Sequence, residues 1–247
     1  MNSAIVRTLL VRGMLAGIAA ALPALVFAYL MGEGPVDAAI AFESANSHEH
    51  GEELVSRTLQ STAGLATGVL VFGVAVGGIA ALAFCFALGR IGRFSIRATA
   101  ALTALGAFLL AYLVPMLKYP ANPPAVGNPD TIGKRTALFF LMIALTVLLG
   151  VAATLLGRRL APQWGNWNAS IAAGLAFTAA VSVAMVILPS GDNTPSGFPA
   201  TDLWNFRLAS IGIQAVLWAG FGLLFGYLAE RALEPRPVGS RVPEAVA

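Results

Sequence analysis

The sequence predicts an all-α, polytopic membrane protein with about six transmembrane helices and both termini in the cytoplasm. Six apolar runs each approach or exceed the about 20 residues that cross a bilayer as a helix. Apolar residues make up 57% of the chain and charged residues only 11%, whereas about a quarter of a water-soluble domain is charged. Basic residues also alternate between successive loops, which is typical of chains that cross a bilayer repeatedly.

The predicted spans form a single transmembrane domain over residues 1–229, followed by a cytoplasmic tail. They lie near 13–31, 64–88, 98–117, 136–157, 169–188 and 208–229. The first run continues to Met31 without a small-x-small cleavage pattern, which favours an uncleaved helix over a signal peptide. The tail, residues 230–247, combines prolines with charges, and we predict that it is disordered.

Charge counts predict the orientation in the cell (inner) membrane. The loops that share a side with both termini hold ten of the fifteen Lys and Arg residues, and the other loops hold five. The positive-inside rule therefore places both termini in the cytoplasm. Nine of the twelve acids fall on the outer side, where they would attract cations. The sequence pI near 9.4 does not indicate nucleic-acid binding, because the basic residues flank apolar runs.

Glycine pairs four residues apart predict close helix packing. Such pairs place two missing side chains on one helical face, so that two backbones can approach each other. The pairs are Gly13 with Gly17, Gly64 with Gly68, Gly73 with Gly77, and Gly222 with Gly226.

Inside the spans, polar groups are few. No acid, base or histidine lies deep in any run, although coupled transporters usually keep one there. Gln214 is the most polar residue in mid-span, and it either contributes to a transport path or makes a hydrogen bond between helices. The sequence contains no P-loop, zincin or serine-elbow motif, so we predict that the protein is not an enzyme.

The first outer loop, from Glu33 to Gln60, holds both histidines of the chain and six acids. Two residues apart, His48 and His50 point the same way only in extended or turn structure. Imidazole suits cobalt, nickel and zinc, and neighbouring carboxylates would complete a mixed shell. The predicted metal ligands are His48, His50, Glu43, Glu49, Glu52 and Glu53. The alternative is a solvated acidic loop with incidental histidines.

Two further outer loops carry unusual residues. The stretch from Lys118 to Arg135 has four prolines in 18 residues, which predicts a stiff lid, or else an exposed linker that the prolines merely order. The predicted path and lid residues are Lys118, Tyr119, Pro120, Asn122, Pro123, Pro124 and Gln214. In the fifth loop, Trp204 is predicted at headgroup level, and Arg207 is predicted to pair with Asp202.

Three segments resemble the CbtA family of probable cobalt-transporter subunits, and the resemblance extends over nearly the whole chain. They read YLVPMLKYPANPPAVGNPDTIGKRTAL, FPATDLWNFRLAS with the following GIQAVLW, and EELVSRTLQSTAGLATGVLVFGVAVGG. The matching loop positions are Glu43, His48, His50, Glu53, Arg57, Lys118, Tyr119, Pro120, Asn122, Pro123, Pro124, Phe198, Pro199, Trp204 and Arg207.

The resemblance implies a multi-pass membrane subunit of a cobalt uptake system, often linked to cobalamin synthesis. It also implies cobalt(II) as the transported ion and, as partner, a small CbtB-type subunit with a single helix. Two alternatives stay open. The chain is a scaffold that binds a partner helix and transports nothing itself, or the metal is nickel or zinc.

Overall fold

The computed structural model describes residues 2–46, 55–124, 126, 131–191, 194–195 and 197–234. Within these ranges every regular element is helical, which confirms the all-α prediction. Five helices are long and apolar enough to cross a membrane: α1 (Ser3–Asn46), α2 (Arg57–Ala87), α3 (Ile96–Lys118), α4 (Ile132–Ile187) and α5 (Ala200–Leu233). A helix satisfies its backbone hydrogen bonds internally, as a lipid environment requires.

Helix α4 carries both the fourth and the fifth predicted apolar runs, on two arms that meet at Gly165. Gly165 has φ 73° and ψ 160°, a backbone conformation that favours glycine because it has no Cβ atom. A Cβ atom at Gly157, on the first arm, would lie 3.3 Å from the Cβ of Ala173 on the second arm. In a straight helix these residues would be about 24 Å apart. The arms therefore fold back on each other as a helical hairpin.

Close contacts define α1 as the central helix. It runs antiparallel to α2, since a Cβ at Gly13 would lie 2.6 Å from the carbonyl oxygen of Gly77, and a Cβ at Gly17 would lie 2.0 Å from that of Gly73. Helix α1 also runs antiparallel to α5, and a Cβ at Gly220 would lie 3.1 Å from that of Ala20.

The remaining helices pack around this centre. A Cβ at Gly222 of α5 would lie 3.0 Å from the Cβ of Ala104 on α3, and one at Gly150 of α4 would lie 2.5 Å from Leu110 of α3. The α4 hairpin is therefore attached to the bundle through α3. Consecutive segments along the chain are antiparallel, so Ser3 and Leu233 lie at the same end of the bundle, the N-terminal end. Helix α1 ends and α5 begins at the opposite end, the distal end.

Three of the four predicted glycine pairs lie at helix contacts, namely Gly13 with Gly17, Gly73 with Gly77, and Gly222 with Gly226. At Gly68 an added Cβ would meet nothing within 4 Å, and at Gly64 it would meet only the carbonyl oxygen of Leu59 in the same helix. This pair therefore makes no contact with another helix in the described part of the chain.

The aromatic core lies between α2 and α5. The rings of Phe84 and Phe225 meet edge to face at 5.1 Å, and Phe221 stacks on Phe225 at the same distance. Many other large apolar side chains are exposed, among them Phe86, Leu148 and Val186. Such a surface would aggregate in water, but it is compatible with lipid.

Gly17→Ala is expected to destabilise the bundle by about 1–3 kcal/mol, because its methyl group would overlap the backbone of Gly73. Gly68→Ala is the matched control, and it should be neutral or stabilise by about 0.5–1 kcal/mol, since alanine is the better helix former. Unfolding of both variants in detergent, followed by circular dichroism, measures the difference. Equal stability of the two variants would contradict the assigned packing.

Candidate functional site

Helix α1 extends well beyond its predicted apolar run and reaches the loops of the distal end. We expected residues after Glu33 to form a loop, but the helix continues to Asn46. Arg57 holds this extension from the start of α2, forming ion pairs with Glu33 and, at 2.9 Å, with Asp37. Local spacing could not indicate these contacts, because they join residues 20 or more positions apart.

Further along the extension, apolar side chains join α1 to the loops before α4 and α5. Ala39 is buried together with Val126 of the proline-rich loop and Phe198 of the last loop. The ring of Phe42 meets that of Phe198 edge to face, with the ring centres 5.2 Å apart. The C-terminal end of α1 thus packs against the loops of the distal end.

The proline-rich loop is held by hydrogen bonds at several points. The Tyr119 hydroxyl donates to the carbonyl oxygen of Pro189 at 2.9 Å. Arg207 of α5 donates through Nε to the carbonyl oxygen of Ala121 at 3.3 Å, and through a terminal nitrogen to Oδ1 of Asn122 at 3.1 Å. The Tyr119 phenol is protonated and able to donate at neutral pH, and burial raises its pKa further.

These loops border an open cavity of about 610 Å³, the distal pocket. Its lining combines the C-terminal end of α1, the end of α3, the proline-rich loop and the start of α4. The lining residues are Glu43, Tyr112, Met116, Tyr119, Pro120, Ala121, Asn122, Pro123, Pro124, Val126, Ile132, Arg135, Thr136, Phe139 and Gly191.

The pocket is lined by one carboxylate, one guanidinium, two phenols, one amide, one aliphatic hydroxyl and a thioether, among apolar groups. Such a lining does not amount to a metal site, and the described residues contain no group of three or more His, Cys, Asp and Glu side chains that could hold an ion. The predicted ligands His48, His50, Glu49, Glu52 and Glu53 lie outside the described residues, and only Glu43 can be placed.

Most of the predicted lid residues meet at the pocket. Tyr119, Pro120, Asn122, Pro123 and Pro124 all line it, together with Glu43. Lys118 does not line it, and its Nζ lies 6.0 Å from the centre of the Tyr119 ring.

The two predicted residues of the fifth loop are helical, because α5 already begins at Ala200. Trp204 is 60% exposed, as an interfacial tryptophan is expected to be. Arg207 makes its hydrogen bonds with the proline-rich loop, so the expected pair with Asp202 is wrong. The two acceptors, the carbonyl oxygen of Ala121 and the amide oxygen of Asn122, lie in a different segment of the chain. The spacing of residues along α5 could therefore not indicate them.

Gln214 lies below the pocket without lining it. The Tyr112 hydroxyl, on the pocket floor, is 2.7 Å from the Ser210 hydroxyl of α5. Gln214 follows Ser210 by four residues and is half-buried on the same face of α5. A short line of polar side chains therefore leads from the pocket toward the middle of the bundle.

The pocket floor coincides with an irregular part of α3, a π-helical segment over Phe108–Leu113. Pro115 follows it, and a proline clashes with the carbonyl four residues earlier and removes a hydrogen bond, which accounts for the widened turn. Thr146 of α4 donates to the carbonyl oxygen of Leu110 at 2.5 Å. The sequence analysis missed Tyr112 and Arg135 as lining residues, because only the fold brings α3 against α4.

A double-mutant cycle of Arg207→Ala and Asn122→Ala is expected to give a coupling of about 1.5–3 kcal/mol, typical of a hydrogen bond to a charged group. Unfolding in detergent mixtures measures the coupling. Asp202→Ala is the control partner, and it should combine additively with Arg207→Ala. Additive behaviour of the Asn122 pair would show that this bond does not hold the loop.

Comparison with known proteins identifies the family to which the chain belongs. A family model described as "Probable cobalt transporter subunit (CbtA)" matches residues 6–230, which confirms the resemblance found in the sequence. No curated protein and no solved structure matches the chain. Together with five apolar helices of membrane-spanning length, the match indicates a membrane protein that works as part of a transporter with several components. The chain belongs to the CbtA family of probable cobalt transporter subunits.

Proposed function

We propose that this chain takes part in cobalt uptake by capturing the ion at its acidic, histidine-containing outer loop and passing it beneath the proline-rich loop. Cobalt is proposed as the transported ion because the chain belongs to the CbtA family. The observation that carries the mechanism is the distal pocket, to which Glu43 and the proline-rich loop both contribute. His48 follows Glu43 by five residues, so the capturing loop is within roughly 17 Å of the pocket.

The proposed topology has six crossings, with both termini in the cytoplasm of a cell (inner) membrane. The two arms of α4 count as separate crossings, because they fold back at Gly165. At the N-terminal end lie eight basic residues of the described chain, namely Arg7, Arg12, Arg90, Arg93, Arg97, Arg158, Arg159 and Arg231. The distal end carries five, which makes it the outer side under the positive-inside rule.

Capture and passage would use different groups. Neutral imidazoles and carboxylates bind divalent transition metals, and the loop around His48 and His50 concentrates both. The pocket, with a single carboxylate beside Arg135, would hold the ion only briefly. Below the pocket, the hydroxyls of Tyr112 and Ser210 and the amide of Gln214 offer weak oxygen ligands, and weak binding lets an ion leave.

Two parts of the proposal concern the wider system. The partner would be a CbtB-type subunit with a single helix, and the open glycine pair at Gly64 and Gly68 offers a face that a helix could approach closely. The link to cobalamin synthesis and the choice of cobalt over nickel or zinc follow only from the family, because one ligand set binds several first-row ions.

A scaffold function is the second candidate, and it is favoured by the absence of any charged side chain inside the six apolar runs. Vesicles that contain the chain alone, and vesicles that also contain its partner, should distinguish the two. Uptake of labelled cobalt by the chain alone identifies a permease. Uptake that requires a partner, with normal copurification, identifies a scaffold.

Replacing both His48 and His50 with alanine is expected to lower the initial rate of cobalt uptake by about ten-fold or more, because a metal site loses both nitrogen ligands. Uptake of labelled cobalt supplied outside intact cells measures the rate. Asn46→Ala with Ser47→Ala is the matched control in the same loop, and it should keep the wild-type rate.

The same assay has a pH readout. Uptake should fall as the pH drops below about 6.5, since protonated imidazole cannot bind a metal. The histidine variant should lose this dependence. A wild-type rate and pH profile in the histidine variant would refute capture at this loop.

A further inference from the structure

A second cavity lies at the N-terminal end of the bundle, on the opposite side from the distal pocket. Its volume is about 450 Å³, and it lies among side chains from α1, α3 and α5. The lining is strongly polar, with three arginines, two carboxylates and one phenol. These residues are Arg12, Arg97, Tyr227, Glu230, Arg231 and Glu234.

The three arginines differ in how many of their donors are occupied. Arg97 donates through Nε at 2.8 Å and through a terminal nitrogen at 2.5 Å to one carboxylate oxygen of Glu230. Arg12 donates to the carbonyl oxygen of Leu228 at 2.5 Å. Arg231 makes no hydrogen bond with the described residues, and its guanidinium lies 4.5 Å from the centre of the Tyr227 ring.

The charge and geometry of this cavity suit an anion. The lining has three positive and two negative groups, and Glu230 already pairs with Arg97. Each guanidinium has five N–H groups in a planar fork that matches phosphate oxygens, so most of the donors of Arg12 and Arg231 stay available. Because the arginines come from three helices, one bound anion would contact α1, α3 and α5 together.

The surface of α5 beside the cavity indicates the source of that anion. Leu223, Tyr227 and Arg231 are four residues apart and therefore share one face of the helix. Leu223 is 76% exposed and Tyr227 40% exposed. An apolar, an aromatic and a cationic side chain thus follow one another toward the helix end, in the order in which a phospholipid presents its acyl chain, interface and headgroup.

We propose that this cavity binds the phosphate group of an anionic phospholipid, with the acyl chains lying along the face of α5 that carries Leu223. The lipid would join α1, α3 and α5 at the N-terminal end of the bundle. Basic pockets between transmembrane helices are known sites for anionic headgroups. The site uses no residue of the distal pocket, and it does not depend on the metal proposed for this protein.

Native mass spectrometry of the full chain, purified in detergent and titrated with phosphatidylglycerol or phosphatidylcholine, tests the proposal. The wild type should retain phosphatidylglycerol preferentially. Arg231→Gln should weaken that retention by about five-fold, the effect expected for one basic residue at a membrane surface. Arg93→Gln removes the same charge from the same end, outside the cavity, and should leave retention unchanged.

Two further measurements distinguish a lipid site from a loss of stability and from a site for a free anion. Arg12→Gln should weaken retention as well, although it also removes the bond to Leu228, so thermal stability is recorded for each variant. Equal retention by Arg231→Gln and Arg93→Gln overturns the proposal. It is also overturned if inorganic phosphate stabilises the wild type and not Arg231→Gln while phosphatidylglycerol has no effect, because the site would then bind a free anion.

Discussion

The direct backbone contact between α1 and α2 is the interaction on which the rest of the structure depends. Lipid surrounds most of the helical surface, so apolar side chains gain little by leaving it for the bundle interior. Helices in that environment are held by close packing, and Gly13, Gly17, Gly73 and Gly77 let two backbones touch. With α2 fixed on one side of α1, α5 packs on another, and α3 packs on α5. The α4 hairpin then attaches to α3.

Hydrogen bonds stabilise the part of the bundle in which an irregular helix prevents close packing. Thr146 supplies a donor to the carbonyl oxygen of Leu110 in the π-helical part of α3, where Pro115 has disturbed the regular bonding. An unpaired carbonyl in an apolar surrounding would be costly, so this bond both stabilises the irregular turn and ties the hairpin to the bundle. The irregular turn in turn places Tyr112 on the pocket floor, next to Ser210.

The two ends of the bundle are built differently, and this suits different tasks. At the distal end, a helical extension and two loops pack through Ala39, Phe42 and Phe198, and they border a pocket with a mixed lining. At the N-terminal end, short connections leave arginines clustered around helix termini. The first arrangement can admit a solute at the distal end, whereas the second is suited to contact with the membrane surface.

The sequence by itself determined the helical class, the apolar runs and the alternation of charge, because hydropathy and charge are properties of each segment alone. It also indicated three of the glycine contacts and most residues of the proline-rich wall of the pocket. Only the tertiary structure decided that α1 continues to Asn46, that Arg207 bonds to Asn122, and that Tyr112 and Arg135 face one cavity. Each of these three features depends on contacts between residues that are far apart in the chain. Where several acceptors could pair with one donor, the fold determines which of them lies close enough to bond.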